Sequence, residues 1–509
     1  MIRQSGSVLA VLLIALVLWA PLPFAGVMPW ATAVLEALCF IALVLAAAAV
    51  RPAVLRPALL PAGALAAVAL LAVAQSLPWP AGLVAVLSPQ HAALHAQAAS
   101  LPGVPSAGSP HLSLTPAVSR AAALLWAAAA AALLAGAAAG QRRGPRRGLA
   151  AALLAGGLVQ VFFGAQEQIR GSHTLWGVDL PANPRLRGTF INPNHLALYL
   201  EMGLAVAFAW GWWAARRARD EPQIERRLLL FAGPALVWLT LFVGLALTGS
   251  RGGLLGALVG VTAQGILAGG ARSGGSRRRW RTALLGLGAA AAGLLIVALA
   301  IGLREGTLGR VFTAQGDVGV GGRLAEYAAV LRLWRRFPLT GTGLGSFSAA
   351  FPLVQPALLE GTWWHAHSDV LELLATTGVL GVLLAAVGVA ALVRRLLTVL
   401  RGHGRSEDRA AALALLGICA ALALHELLDF GLTMPANALT LAVLAGAASG
   451  VEAGRRRAAS AQPHRAGEDA RPAGGLDLEE VVAGPQVVVE PQASPRLHRK
   501  HAEERTVQP

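Results

Sequence analysis

The sequence predicts an all-α polytopic membrane protein, and three observations carry that reading. Over half of the 509 residues are apolar while only 13% are charged, and the mean hydropathy is +0.60. A soluble chain of this length has too little interior for so much apolar surface. Apolar runs long enough to cross roughly 30 Å of hydrocarbon recur along the sequence. The arginines fall in short clusters between those runs.

The runs predict about twelve helices near 7–24, 30–50, 58–77, 117–139, 148–165, 193–214, 228–247, 253–270, 282–302, 369–393, 410–428 and 435–451. Arg3 precedes the first run, and a second membrane-length run follows almost at once, so the first reads as a retained signal anchor. Basic hinges at Arg51–Arg56, Arg142–Arg147, Arg216–Arg227, Arg272–Arg281, Arg394–Arg409 and from Arg455 onward each enclose two runs. This alternation predicts both termini on the cytoplasmic side, because basic loops are retained there. The net charge of +16 is spent on these hinges and does not point to nucleic acid. Cys39 and Cys419 lie within apolar runs, implying neither a disulfide nor a metal site.

Three connections on the outward side are long. Ser76–Pro116 is rich in Pro, Ala and His and suits short interfacial helices, and Gln166–Asn192 is more polar. Leu303–Trp364 mixes charged, aromatic and Gly-rich pieces and is the candidate for a folded lid, since long loops in compact proteins are usually functional. From Glu452 to Pro509 the chain has mixed charge with Pro, Gly and Gln, and reads as a disordered cytoplasmic tail. Gly341–Gly345 lacks the spacing of a phosphate-cradling loop and reads as a flexible turn.

Polar clusters at the outward ends are the candidates for chemistry, because ionisable groups near hydrocarbon are costly. In Arg187–His195, Asn192 and Asn194 suit a helix cap, while Arg187 and His195 add a cation and a titratable ring; capping and function stay equally open. In Thr248–Gly253, Arg251 occupies a tight outward turn, against the positive-inside bias. A guanidinium there suits a bidentate grip on a diphosphate, with contact to lipid headgroups as the plainer alternative. Arg323 falls in the first turn of a predicted loop helix, while Arg332, Arg335 and Arg336 read as solvated, lipid-facing or paired with acids. His365 and His367 follow two tryptophans and precede Asp369. The order suits a metal site, yet no further cluster supplies the remaining ligands, and a neutral imidazole acting as general base fits better. His425 and Asp429, four residues apart, are expected on one helix face, either in a structural hydrogen bond or in the site.

Several of these stretches resemble, in the same order, the O-antigen ligase and polymerase superfamily of bacterial membrane glycosyltransferases. Arg187–Met202 resembles its N-x-N-H segment and Leu247–Gly253 its Ser-Arg-Gly turn. Gly322–Phe347 resembles its Arg-led loop helix and the P-L-x-G-x-G-x-G-x-F signature. His367–Ser368 with Gly378 and Gly381 fits H-[N/S]-x9-G-x-x-G, with Ser368 standing where Asn is common. The similarity runs from about Val159 to Ser449, so 1–158 reads as N-terminal transmembrane helices, 159–451 as the catalytic region including loop 303–367, and 452–509 as the tail.

The resemblance implies a metal-independent inverting glycosyltransferase of GT-C type without a cofactor, working on the periplasmic face of a bacterial inner membrane. Its donor would be a glycan on undecaprenyl diphosphate and its acceptor a hydroxyl of a glycan, lipid or protein. By motif, Arg251 and Arg323 would hold the diphosphate and His367 would activate the hydroxyl. Arg187, Asn194, His195, His365, His425 and Asp429 are expected to contact substrate. A polymerase of the same superfamily is the alternative, separated from a ligase by product length. A transporter or flippase fits the helix count but not the gathering of polar residues at one face.

Overall fold

The computed structural model describes residues 2–102, 108–181, 183–270 and 320–451. The expected ninth span at 282–302, the Arg272–Arg281 hinge, the first part of the long loop and the 452–509 tail lie outside the described residues. Eight helices pass along the N-terminal half as long elements: α1 (Ile2–Trp19), α2 (Pro29–Ala49), α3 (Pro52–Ser76), then, after short α4 (Ala81–Leu87) and α5 (Pro89–Ala99), α6 (Pro116–Ala139), α7 (Arg143–Arg170), α8 (Pro193–Arg217), α9 (Ile224–Leu247) and α10 (Arg251–Gly270). The C-terminal half adds α11 (Val320–Arg336), the one-turn α12 (Phe347–Ala350), α13 (Asp369–Arg401), α14 (Ser406–Leu428) and α15 (Pro435–Ser449). A two-stranded antiparallel hairpin, Thr174–Leu175 on Val178–Asp179, sits in the α7–α8 connection with Thr174 opposite Asp179.

Among the described residues, nine helices are long and apolar enough to cross a membrane, and Gln4–Trp19 and Pro435–Ser449 are shorter apolar helices. Several boundaries differ from the hydropathy expectation for a common reason: an apolar run marks the membrane window, not the helix end. Thus α3 starts at Pro52 instead of 58, since Pro suits the first helical turn. α7 covers 143–170 instead of 148–165; its N-terminal end is held by Arg146–Asp408 and Arg147–Glu407 pairs, and Gly171 closes it at φ 64°. α13 runs on to Arg401, with Arg395 Nε donating to Ser449 O at 2.9 Å. α1 ends at Trp19, ahead of Pro21 and Pro23.

α8 is the central helix. It is buried from Pro193 to Ala207 at every position, Asn194, His195 and Glu201 included. Long aliphatic side chains stand outward on peripheral helices, among them Leu70, Leu229 and Leu383. α6 and α15 touch backbone to backbone: a Cβ on Gly136 would lie 2.2 Å from Val443 O, and one on Gly446 2.0 Å from Leu133 O. Small residues four apart permit this approach, the usual way apolar helices associate without a hydrophobic drive between them.

The described part of the long loop has its own core. Val330, Leu333, Phe337, Phe347, Phe351 and Ala366 pack together with Ala375 of α13. Arg332 and Arg336, expected to be solvated, lipid-facing or paired with acids, are exposed and donate to Val354 O (3.3 Å) and Leu353 O (3.2 Å), fastening this layer. The Ser76–Pro116 segment supplies the short helices expected there, and His91 of α5 packs edge-on against Phe337 at 4.6 Å. Burial pulls the His91 imidazole down to about 4, so it is a neutral packing group.

Gly341–Gly345 is a turn, and a tightly packed one. Gly341, Gly343 and Gly345 all have positive φ. Thr342 N and Gly343 N donate to Ala375 O and Thr376 O at 3.0 and 2.9 Å. Val379 N donates to Pro338 O at 2.9 Å. The partner is α13 at its kink, Gly378 (φ 63°, ψ −165°), a conformation open essentially only to glycine.

Candidate active site

The polar clusters meet where α8, α10, α13 and α15 begin and α14 ends, at the bundle end opposite the arginine hinges. Asn192 caps α8, its side chain accepting from Asn194 N at 2.9 Å. This fixes Asn194 and His195 in the first turn, both buried. Arg185, which stands in no motif of its own, ties this turn to α10: its guanidinium donates to Asn194 Oδ1, and its Nε donates to Thr248 O at 2.6 Å. Ser250 then caps α10, its Oγ accepting from Gly253 N at 3.1 Å, which leaves Arg251 exposed at the helix start.

α11 brings the second guanidinium. Arg323 lies in its first turn, as expected, and its Nη1 donates to Leu428 O at 3.1 Å. A Cβ on Gly252 would lie 3.8 Å from Leu428 Cβ. The residue next to Arg251 and the guanidinium of Arg323 are therefore both set against the last residue of α14.

Three histidine–carboxylate pairs occupy the site. His367 Nδ1 lies 3.2 Å from Glu326 Oε1; the histidine side chain is 28% exposed and the glutamate is fully buried. His365 Nδ1 lies 3.1 Å from Glu372 Oε1, and Ala366 N donates to Glu372 Oε2 at 3.0 Å. His425 Nδ1 lies 2.5 Å from Glu201 Oε1 with both side chains fully buried. Gly253 and Gly256 make room for this last pair, since a Cβ there would come 3.2 and 2.7 Å from the Glu201 carboxylate.

One ring joins them. Phe430 packs against His195 (4.6 Å, edge-on), His365 (4.5 Å, stacked) and His367 (5.2 Å, edge-on). Trp363 closes over His367 at 5.3 Å. His367 itself has φ 43°, uncommon for a residue with a Cβ. The Tyr327 hydroxyl donates to His367 O at 2.9 Å and helps hold that conformation. Such strain, roughly 1–3 kcal/mol, persists where the surroundings enforce it and gathers at functional sites.

Electrostatics separate the two outer pairs. Burial raises the Glu326 carboxyl above the usual range, only partly offset by His367 and Arg323. For His365, burial pulls downward, but the hydrogen bond and charge of Glu372, with Asp369, outweigh it and raise the imidazole. Ser368 caps α13 by accepting from Leu371 N at 3.3 Å and donates to Glu426 O at 3.2 Å, so the serine performs a structural task here.

The geometry corrects one expectation. His425 and Asp429 do not share a helix face: α14 stops at Leu428, and Asp429 is extended (φ −155°, ψ −178°), with its side chain accepting from Phe430 N at 2.9 Å. His425 turns inward to Glu201 instead. Arg187 donates within its own loop, to Pro181 O (3.0 Å) and His173 O (3.4 Å). Among the described residues, no group of three or more His, Cys, Asp or Glu has the geometry to hold a metal ion.

The fold and the site define a polytopic helical protein with paired histidines and two guanidiniums at one end of its bundle. Residues 234–386 match the family model described as O-antigen ligase, which supports placement in the O-antigen ligase and polymerase superfamily. The matched region contains Arg251, Arg323, Glu326, His365 and His367; the fold brings Asn194, His195, His425 and Asp429 to it from outside. No curated protein matches the chain. The match supports an activity of the ligase or polymerase type in general.

Proposed function

We propose that the protein is an inverting glycosyltransferase, O-antigen ligase-like, which moves a glycan from undecaprenyl diphosphate to an acceptor hydroxyl. The site would face the periplasm, because the arginine hinges lie at the opposite end of the helices and basic ends are retained inside. The observation that carries the reading is the His367–Glu326 pair, with Arg323 one turn before Glu326 on the same helix.

In this mechanism the Glu326 carboxylate accepts from His367 Nδ1–H and leaves Nε2 to take the proton of the acceptor hydroxyl. The hydroxyl oxygen attacks the donor anomeric carbon from the face opposite the diphosphate. The bond from that carbon to the diphosphate oxygen breaks, and the configuration inverts. The proton rests on His367 as an imidazolium beside Glu326, and undecaprenyl diphosphate leaves. Arg251 and Arg323 stabilise the charge gathering on the diphosphate, which on this reading needs no metal.

The test is glycan transfer by purified protein in EDTA from an undecaprenyl-diphosphate oligosaccharide to lipid A core, protein or lipid-linked acceptors. A single capped product indicates a ligase, and a ladder of lengthening chains a polymerase. Failure of a folded protein to release undecaprenyl diphosphate with any acceptor would refute the reading.

A further inference from the structure

A second feature lies at the other end of the same helices. Between α7, α8, α14 and α15 is a cavity of about 430 Å³, within the roughly 300–1,000 Å³ of small-molecule sites. Its walls are apolar, including Leu154, Trp213, Ala414 and Ala447, and its mouth carries Arg143, Arg146 and Arg147. Along α7 the lining passes from Arg143 to Leu154, about 16 Å at 1.5 Å per residue. The cavity therefore grades from cationic to wholly apolar over the reach of a lipid chain, not of a soluble ion.

The mouth is unbalanced in charge. Arg146 pairs with Asp408 and Arg147 with Glu407, while Arg143 and Arg405 lie close enough to act on Arg146. Among the described residues, four guanidiniums thus face two carboxylates. Three of them also fall within the first five residues of α7, whose first turn has no acidic residue and no capping side chain. Cations at a helix N-terminus are opposed by the macrodipole, and an anion placed there satisfies both the backbone N–H groups and the surplus charge. The Arg217 guanidinium over the Trp213 ring, at 5.9 Å, gives that wall the aromatic–basic character of a membrane interface.

We propose that this cavity binds an anionic phospholipid, with an acyl chain along Leu154 and Ala414 and the phosphate on Arg143, Arg146 and Arg147. A zwitterionic lipid would leave the surplus charge unmet, and a free phosphate would leave the apolar depth unused. The lipid would brace the ends of α8, α14 and α15, whose other ends carry His195, His425 and Asn437.

The test is native mass spectrometry of the full-length protein in detergent with equimolar dioleoyl phosphatidylglycerol and dioleoyl phosphatidylcholine. Wild type is expected to retain one phosphatidylglycerol with about tenfold or greater preference. The double variant Arg143→Gln/Arg147→Gln, at exposed positions, should fall to parity. Ala151→Phe, on the cavity wall, should lower retention of both lipids. Equal retention of the two lipids by wild type, undiminished preference in the double variant, or no lipid retained because other chain segments fill the cavity would each overturn the proposal.

Discussion

Replacing Glu326 by Gln tests the proposed base most sharply, because shape is kept and only charge is removed. The carboxylate lies 3.2 Å from His367 Nδ1 and is fully buried, while His367 remains partly open to solvent. At an effective dielectric of about 20, unit charges at that distance attract by about 5 kcal/mol. The amide keeps a hydrogen bond to Nδ1, so the loss when His367 becomes an imidazolium is about 3 kcal/mol, or about 100-fold in kcat. Stability should move differently. Burial already penalises the ionised Glu326, raising its carboxyl, so the neutral amide should leave the melting temperature unchanged or higher. The two rates should also converge as pH falls through that raised value, since a protonated Glu326 and a glutamine carry the same charge. The assay is transfer rate against pH, beside thermal melting in the same detergent. A variant with wild-type rates at every pH, or one inactive only because it melts earlier, would refute the reasoning.

Other consequences follow from the same geometry. Gly378→Ala forces a Cβ to within 2.2 Å of Leu339 O at a backbone angle of φ 63°; it should cost at least about 2 kcal/mol, read as a lower melting temperature. The raised His365 contributes stability that is fully present below the ordinary histidine value of about 6.5 and is lost as pH climbs through the folded value. Melting temperature should therefore decline as pH rises above about 6.5 and through the raised value, and Glu372→Gln should flatten that slope.

The sequence made the membrane helices legible because a span must be apolar over a fixed length, whatever its neighbours. It also marked Arg251, Arg323 and His367, which sit in local motifs. It did not show what holds them. The carboxylate partners of His367 and His425 lie 41 and 224 residues away in sequence, and no local period links them. A signal existed for each: Glu201 is an acid inside an apolar run, which is costly without a partner, and Glu326 is one turn from Arg323. Phe430 carried no such mark. An aromatic at a helix end reads as interfacial, and its place between three histidines arises only when α8, α13 and α14 meet. The extended backbone at Asp429 belongs to the same group, because hydropathy marks the end of the 410–428 run but not the direction the chain takes after it.

The central claim is that His367 acts on the acceptor while Arg251 and Arg323 hold the donor diphosphate, and a split between donor binding and turnover tests it directly. Donor affinity and single-turnover transfer should be measured for His367→Ala, Arg251→Ala and Arg323→Ala in EDTA. The account predicts that His367→Ala keeps donor affinity within about twofold and loses transfer by about 100-fold or more. Each arginine variant should lose both binding and transfer. Full transfer by His367→Ala, or unchanged donor affinity and rate in both arginine variants, would contradict it.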